Sequence, residues 1–113
     1  MSAANHDLVI DQGSTFVIDL TIKESGSLKN LTGFSGRSQM RSSKTTSAVA
    51  ASFTCTVVSP ASNGVLKMEL PATTSSAMAA GVYFYDLEIH TANDAIVKRL
   101  IEGKVTINQE ITR

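Results

Sequence analysis

A chain of 113 residues, 42% hydrophobic and 18% charged, is sized and composed for one globular unit with a single core. Ten basic residues cancel ten acidic ones, so the net charge of zero offers no electrostatic attraction to nucleic acid or anionic lipid. One cysteine excludes an internal disulfide, and no apolar run approaches the length of a membrane span.

Residues 1–5 are small and polar and read as a flexible arm, without the basic and apolar regions of a secretory signal, so synthesis in a cytosol is expected. A short strand is expected over 6–10, followed by a turn at Asp11-Gln12-Gly13-Ser14. Residues 15–22 alternate, with Phe16, Ile18, Leu20 and Ile22 inward and Thr15, Val17, Asp19 and Thr21 outward. Glu24-Ser25-Gly26-Ser27 turns the chain, and Leu31-Thr32-Gly33 is an irregular link carrying one buried leucine.

The next strand, 34–41, puts Phe34, Ser38 and Met40 on one face and Arg37, Gln39 and Arg41 on the other. Gly36 within it signals a bulge or a close backbone approach. A polar stretch at 42–47 reads as a mobile loop. Residues 50–58 form a strand with Phe53, Cys55 and Val57 inward and Thr54, Thr56 and Val58 outward, and the cluster at 60–64 is a turn. Residues 65–70 alternate with Leu66, Met68 and Leu70 inward, and Pro71, which cannot donate to a ladder, ends the strand. One or two helical turns are expected over 73–80.

The strand that organises the chain follows Gly81. Tyr83, Tyr85, Leu87 and Ile89 share one side, and Val82, Phe84, Asp86, Glu88 and His90 the other. Small residues, then a strand with Tyr in second position, resemble the tyrosine corner of immunoglobulin-like sandwiches, in which the ring enters the core and the hydroxyl caps a backbone group. Gly81, Tyr83 and Tyr85 are therefore read as structural. After a turn at Ala92-Asn93-Asp94, the last strand spans 96–107. Its apolar phase changes between Leu100 and Ile101, so a bulge is expected at Glu102-Gly103 or just before it. Seven or eight short strands and no long helix predict an all-β, immunoglobulin-like antiparallel β-sandwich across 1–113, with at most a short helical turn before the Tyr83 strand.

Catalytic patterns are weak. His90 beside Asp86 and Glu88 could ligate a metal only if another strand supplied a third ligand, and same-face neighbours are about 7 Å apart. An outward histidine in water is the simpler reading. Cys55 lies between Phe53 and Val57 on the inward parity, as a small hydrophobe rather than a nucleophile. Paired carboxylates for sugar cleavage lack both a selecting spacing and aromatic platforms, since Trp is absent. Arg37 and Arg41 could anchor a partner carboxylate or phosphate, or pair locally with acids such as Glu88 or Glu102. No cofactor and no small-molecule substrate are expected, and the chain does not read as an enzyme.

Several segments together are similar to a small domain of tailed-bacteriophage virions. They are Gln12-Gly13-Ser14-Thr15-Phe16, Leu31-Thr32-Gly33-Phe34 with Arg37 and Gln39-Met40-Arg41, and Ala80 to Glu88. Arg99-Leu100-Ile101-Glu102-Gly103-Lys104-Val105 and Glu110-Ile111-Thr112-Arg113 complete the pattern. It resembles the N-terminal immunoglobulin-like domain of phage baseplate upper proteins. In that family an extension toward receptor-binding parts follows, whereas this sequence ends at Arg113, so a docking or cementing module is expected rather than a receptor-binding tip. The resemblance implies a non-enzymatic virion protein, made in the host cytoplasm, of tail, baseplate or neck, or a capsid decoration protein. Its partners would be other virion proteins and copies of itself. The expected contact residues are Thr15, Val17, Arg37, Arg41, Thr54, Thr56 and Val58.

Overall fold

The computed structural model describes residues 4–111. Among them the chain forms β1 (Ala4–Asn5), β2 (Leu8–Asp11), β3 (Phe16–Thr21), β4 (Lys23–Glu24), β5 (Ser27–Leu28), β6 (Ser35–Arg41) and β7 (Ala51–Val57). There follow β8 (Val65–Leu70), a short helix α1 (Ala72–Ala77), β9 (Gly81–His90) and β10 (Val97–Asn108). The protein is all-β and sandwich-like, its strands ordered β1-β10-β9-β6-β7-β8-β3 with β2 also on β10.

One strand makes the corner between the two sheets. Ala51, Ser52 and Phe53 of β7 pair with Met40, Gln39 and Ser38 of β6, whereas Thr54 to Val57 pair with Glu69 to Leu66 of β8. Gly36 lies where β7 leaves β6, and a Cβ there would sit 2.9 Å from that of Cys55 and 3.1 Å from a Leu66 methyl. The glycine expected to mark a close approach therefore closes the seam between the sheets.

Alternate side chains from both sheets fill the interior. Leu66, Met68 and Leu70 of β8 face Met40 of β6 and Leu87 and Ile89 of β9, all with no measurable exposure. Phe53 links the layers through its ring, 5.9 Å from Phe16 and 6.1 Å from Tyr85. Tilted and edge-on contacts of this kind suit aromatic quadrupoles. In β10 the register shifts between Arg99 and Ile101, placing the bulge at Leu100, just before the Glu102-Gly103 pair. The extra residue switches the inward parity, so Val105 and Ile107 reach the core.

Two features depart from the sequence expectation. The pairing is antiparallel except at the N-terminus, where β1 and β2 both run parallel to β10, Ala4 opposite Ile101 and Leu8 opposite Val105. The flexible arm expected over 1–5 gives way at Ala4 and Asn5 to this pairing, and residues 1–3 lie outside the described residues. The helical segment begins at Ala72 directly after Pro71, with no side-chain cap, and ends before Met78 returns to an extended conformation. A small hairpin, β4 and β5, also forms, its turn made by Ser25 and Gly26 at φ of 54° and 80°.

Candidate interaction faces

The pairing register stacks outward side chains of the larger sheet into charged rows. Arg99, Glu88 and Arg37 form one row, and Glu102, Asp86 and Gln39 the next. Lys104, Phe84 and Arg41 form a third. Arg37 donates from Nε to Glu88 Oε1 at 2.9 Å, and its Nη1 lies 3.2 Å from Asp94 Oδ1. Arg99 Nε is 3.3 Å from Asp86 Oδ2, and His90 Nδ1 is 3.5 Å from Asp94 Oδ1. Arg37, Arg41, Phe84, Asp86, Glu88 and Arg99, with Lys44 from the loop after β6, line an open groove of about 650 Å³.

The groove is lined by four basic side chains, Arg37, Arg41, Lys44 and Arg99, and three acidic ones, Asp86, Glu88 and Glu102. The bond to Glu88 and the nearby Asp94 hold the Arg37 guanidinium more firmly protonated. Burial raises the Asp86 carboxyl above its ordinary range, helped by Glu88 and Glu102 and opposed by Arg99 and Arg41. Exposed pairs of this type add little to stability, so their effect is to fix geometry rather than to hold the fold. Arg41 turns inward along the surface. Its Nη2 donates to Gln39 Oε1 at 2.9 Å and its Nη1 to the carbonyls of Thr46 and Ser47. The loop read from sequence as mobile is thus braced by Arg41, and Lys44 from it lies 5.7 Å from the Phe84 ring centroid.

The remaining expected contact residues lie elsewhere. On the smaller sheet Val17, Glu69 and Thr54 make one outward row, and Asp19, Lys67 and Thr56 the next. Thr15, Val17, Thr54 and Thr56 are exposed, while Val58 is half-buried and donates its N–H to Val65. The seven residues therefore divide between two faces, Arg37 and Arg41 on the larger sheet and the other five on or beside the smaller one. Outward parity identified exposure correctly in most cases. It carried no information about which sheet each strand would join.

The tyrosines also divide their work. Tyr83 is partly buried, and its hydroxyl donates to the Ala79 carbonyl at 2.7 Å, four residues upstream. Gly81, at φ of +145°, gives the backbone entry into β9 a conformation that a side chain would resist. Tyr85 is 5% exposed and donates across the molecule to the carbonyl of His6. Burial, with a smaller push from the Asp7 carboxylate, raises its phenol to about 12. Burial likewise pushes the Cys55 thiol up to about 11. Among the described residues, no three His, Cys, Asp or Glu side chains gather closely enough to hold a metal ion.

Sequence reasoning missed two residues that anchor loops. Asp7 accepts the Lys104 N–H at 3.0 Å where the N-terminal segment passes from β1 to β2. Ser75, fully buried, accepts the Gly13 N–H at 3.1 Å and donates to the Ser14 carbonyl at 2.8 Å. The first turn of the chain is thereby tied to α1.

This arrangement has a counterpart among solved structures. The N-terminal domain of phage TP901-1 ORF48 superposes with a TM-score of 0.62 at 13% identity, over 95% of this chain and 90% of that one. The chain shares its fold with a bacteriophage domain. Listeria monocytogenes InlP gives a TM-score of 0.46 at 20% identity, covering 94% of this chain but 28% of its own, too loose a likeness to carry an argument. No protein-family model matches the sequence, and no curated protein matches it.

Proposed function

We propose that this protein is a non-enzymatic structural module of a phage virion that docks onto and links neighbouring subunits of the tail, baseplate or neck. The observation that carries the reading is the shared fold with the TP901-1 ORF48 domain over nearly the whole of both chains. The surface chemistry agrees with it. On the larger sheet Arg37 pairs with Glu88 and Arg99 with Asp86, and the smaller sheet presents Thr15, Val17, Thr54 and Thr56 around a Glu69–Lys67 centre. Among the described residues strand β3 ends its sheet with one unpaired edge, a natural place for an extended segment of another subunit to add itself. The partners are other virion proteins, with copies of the same chain among the candidates.

The test is to purify particles of the encoding phage, separate heads from tails, and detect this chain by mass spectrometry and by labelled antibody in electron micrographs. Recovery with tails or baseplates supports the reading. Recovery with heads alone would replace it with capsid decoration, and absence from washed particles would overturn a virion role.

A further inference from the structure

A second groove, of about 340 Å³, opens where the β4–β5 hairpin leans on the start of β10. Its walls combine an apolar part, Ile22, Val97 and Leu100, with Lys23, Lys29, Lys98 and Arg99 and the single acid Glu24. Arg99 is engaged by Asp86 on the neighbouring face. Three lysines therefore line the groove against one carboxylate, in a chain whose total charge is zero. Glu24 Oε2 lies 2.9 Å from Lys29 Nζ and 3.3 Å from Lys98 Nζ. Lys29 is held in place, its ammonium 5.1 Å from the Phe34 ring centroid. Lys23 is exposed, and among the described residues no acid pairs with it.

We infer that this groove receives an acidic, extended segment of a partner protein, whose carboxylate binds among the lining lysines Lys23, Lys29 and Lys98 while an apolar neighbour side chain covers Val97. Glu24 shows the fit, because its carboxylate already bridges the ammonium groups of Lys29 and Lys98. Val97, 43% exposed, supplies an apolar contact that a phosphate or a nucleic-acid backbone would leave uncovered. Nucleic acid also calls for an extended basic surface, and the zero net charge argues against one. The inference rests on the docking role proposed above and supplies the chemistry of one partner. Glu24 competes with the incoming carboxylate, so it sets the affinity.

The experiment uses the isolated full chain, labelled with ¹⁵N, titrated at low salt with a ten-residue peptide alternating Glu and Val. The same peptide with Gln for Glu and a single-stranded oligonucleotide serve as comparisons. The Glu peptide should shift amide signals of Lys23, Lys29, Val97 and Lys98, and the other two probes should not. Lys98→Glu should weaken binding by about tenfold, since it removes an attraction and adds a repulsion. Glu24→Gln should tighten it several-fold, whereas Glu110→Gln, the same charge change beyond the far end of β10, should leave it unaltered. Absence of binding by the Glu peptide, equal binding of the oligonucleotide, or equal tightening by Glu24→Gln and Glu110→Gln would each overturn the assignment. None of these results depends on where the protein sits in a particle, so the location test remains separate.

Discussion

The Tyr85 hydroxyl donates a hydrogen bond to the carbonyl oxygen of His6, joining residues 79 apart in the chain. The contact sits midway between two short parallel pairings, β1 on Ile101–Glu102 and β2 on Val105–Asn108. It therefore satisfies the backbone at the point where the N-terminal segment leaves one ladder and enters the next.

Tyr85→Phe should lower the free energy of unfolding by about 1–2 kcal/mol, because a part-buried carbonyl loses its donor. Tyr83→Phe should cost less, since water can replace its hydroxyl at Ala79. The pH dependence has a definite sign. Tyr85 holds its proton to about 12 in the folded chain, against about 10 when unfolded, so its contribution is complete below pH 10 and is lost as pH rises toward 12. Denaturant titrations between pH 9 and 11.5 should show the wild type losing stability with a steeper slope than Tyr85→Phe, by up to about 1.4 kcal/mol per pH unit. Parallel pH profiles would remove the assignment.

Gly103 lies beneath the same crossing. A Cβ on it would fall inside contact distance of the His6 carbonyl oxygen and 2.9 Å from Asp7 Oδ1. Gly103→Ala should therefore cost about 1–3 kcal/mol by overpacking against backbone that has little room to move. The same substitution at Gly33 meets no neighbouring atom within 4 Å but is strained by its φ of +82°, so it tests the alternative origin of a glycine requirement. Amide exchange separates the two. Gly103→Ala should accelerate exchange at Leu8 to Asp11 and at Lys104, whereas Gly33→Ala should leave those amides protected.

How much of this was legible in the sequence follows from what alternation encodes. In Phe16–Ile22, Val65–Leu70 and Gly81–His90 the period of two marked the buried face, because one side of each strand meets the core and the other meets water. It did not encode the neighbour. The strand expected over 6–10 named no neighbour, and its parallel place on β10 depends on Asp7 beside it reaching the Lys104 N–H and on Tyr85 and Gly103, which lie far away in the chain. Arg37 and Arg41 were correctly placed on an outward face, and Glu88 was named among the acids they could pair with, as Arg37 does; Asp94, arriving from the 92–94 turn, was not. The lysine groove escaped notice for the same reason, since Glu24, Lys29 and Lys98 come together only once the hairpin rests on β10.

Ser75 tests a loop anchor that no period could reveal. It is a small hydroxyl in a helix of six residues, yet it is fully buried and bonded to both Gly13 and Ser14. Ser75→Ala should cost about 1–3 kcal/mol, the penalty for leaving a buried donor and acceptor unmet. Its neighbour Ser76 is exposed, and Ser76→Ala should change stability by less than about 0.5 kcal/mol. Equal effects of the two substitutions, measured as midpoints of urea unfolding, would show that helix propensity rather than the tie to the first turn governs this site.

Cys55 reports on the seam between the sheets. Its thiol is pushed up to about 11 by burial, and its side chain packs against Gly36 where β7 changes partners. Only the thiolate reacts with disulfide reagents, so at pH 8 the folded chain should react with such a reagent on the order of a hundredfold more slowly than the urea-unfolded chain. The rate should climb with pH toward 11 while far-ultraviolet circular dichroism still reports an intact fold. Gly36→Ala presses on the same sulfur-bearing side chain and should open the seam, raising the native reaction rate at pH 8 along with its stability cost. Rapid reaction of the unaltered folded protein would mean that the seam is hydrated, and the corner made by β7 would then need another explanation than close packing of Gly36, Cys55 and Leu66.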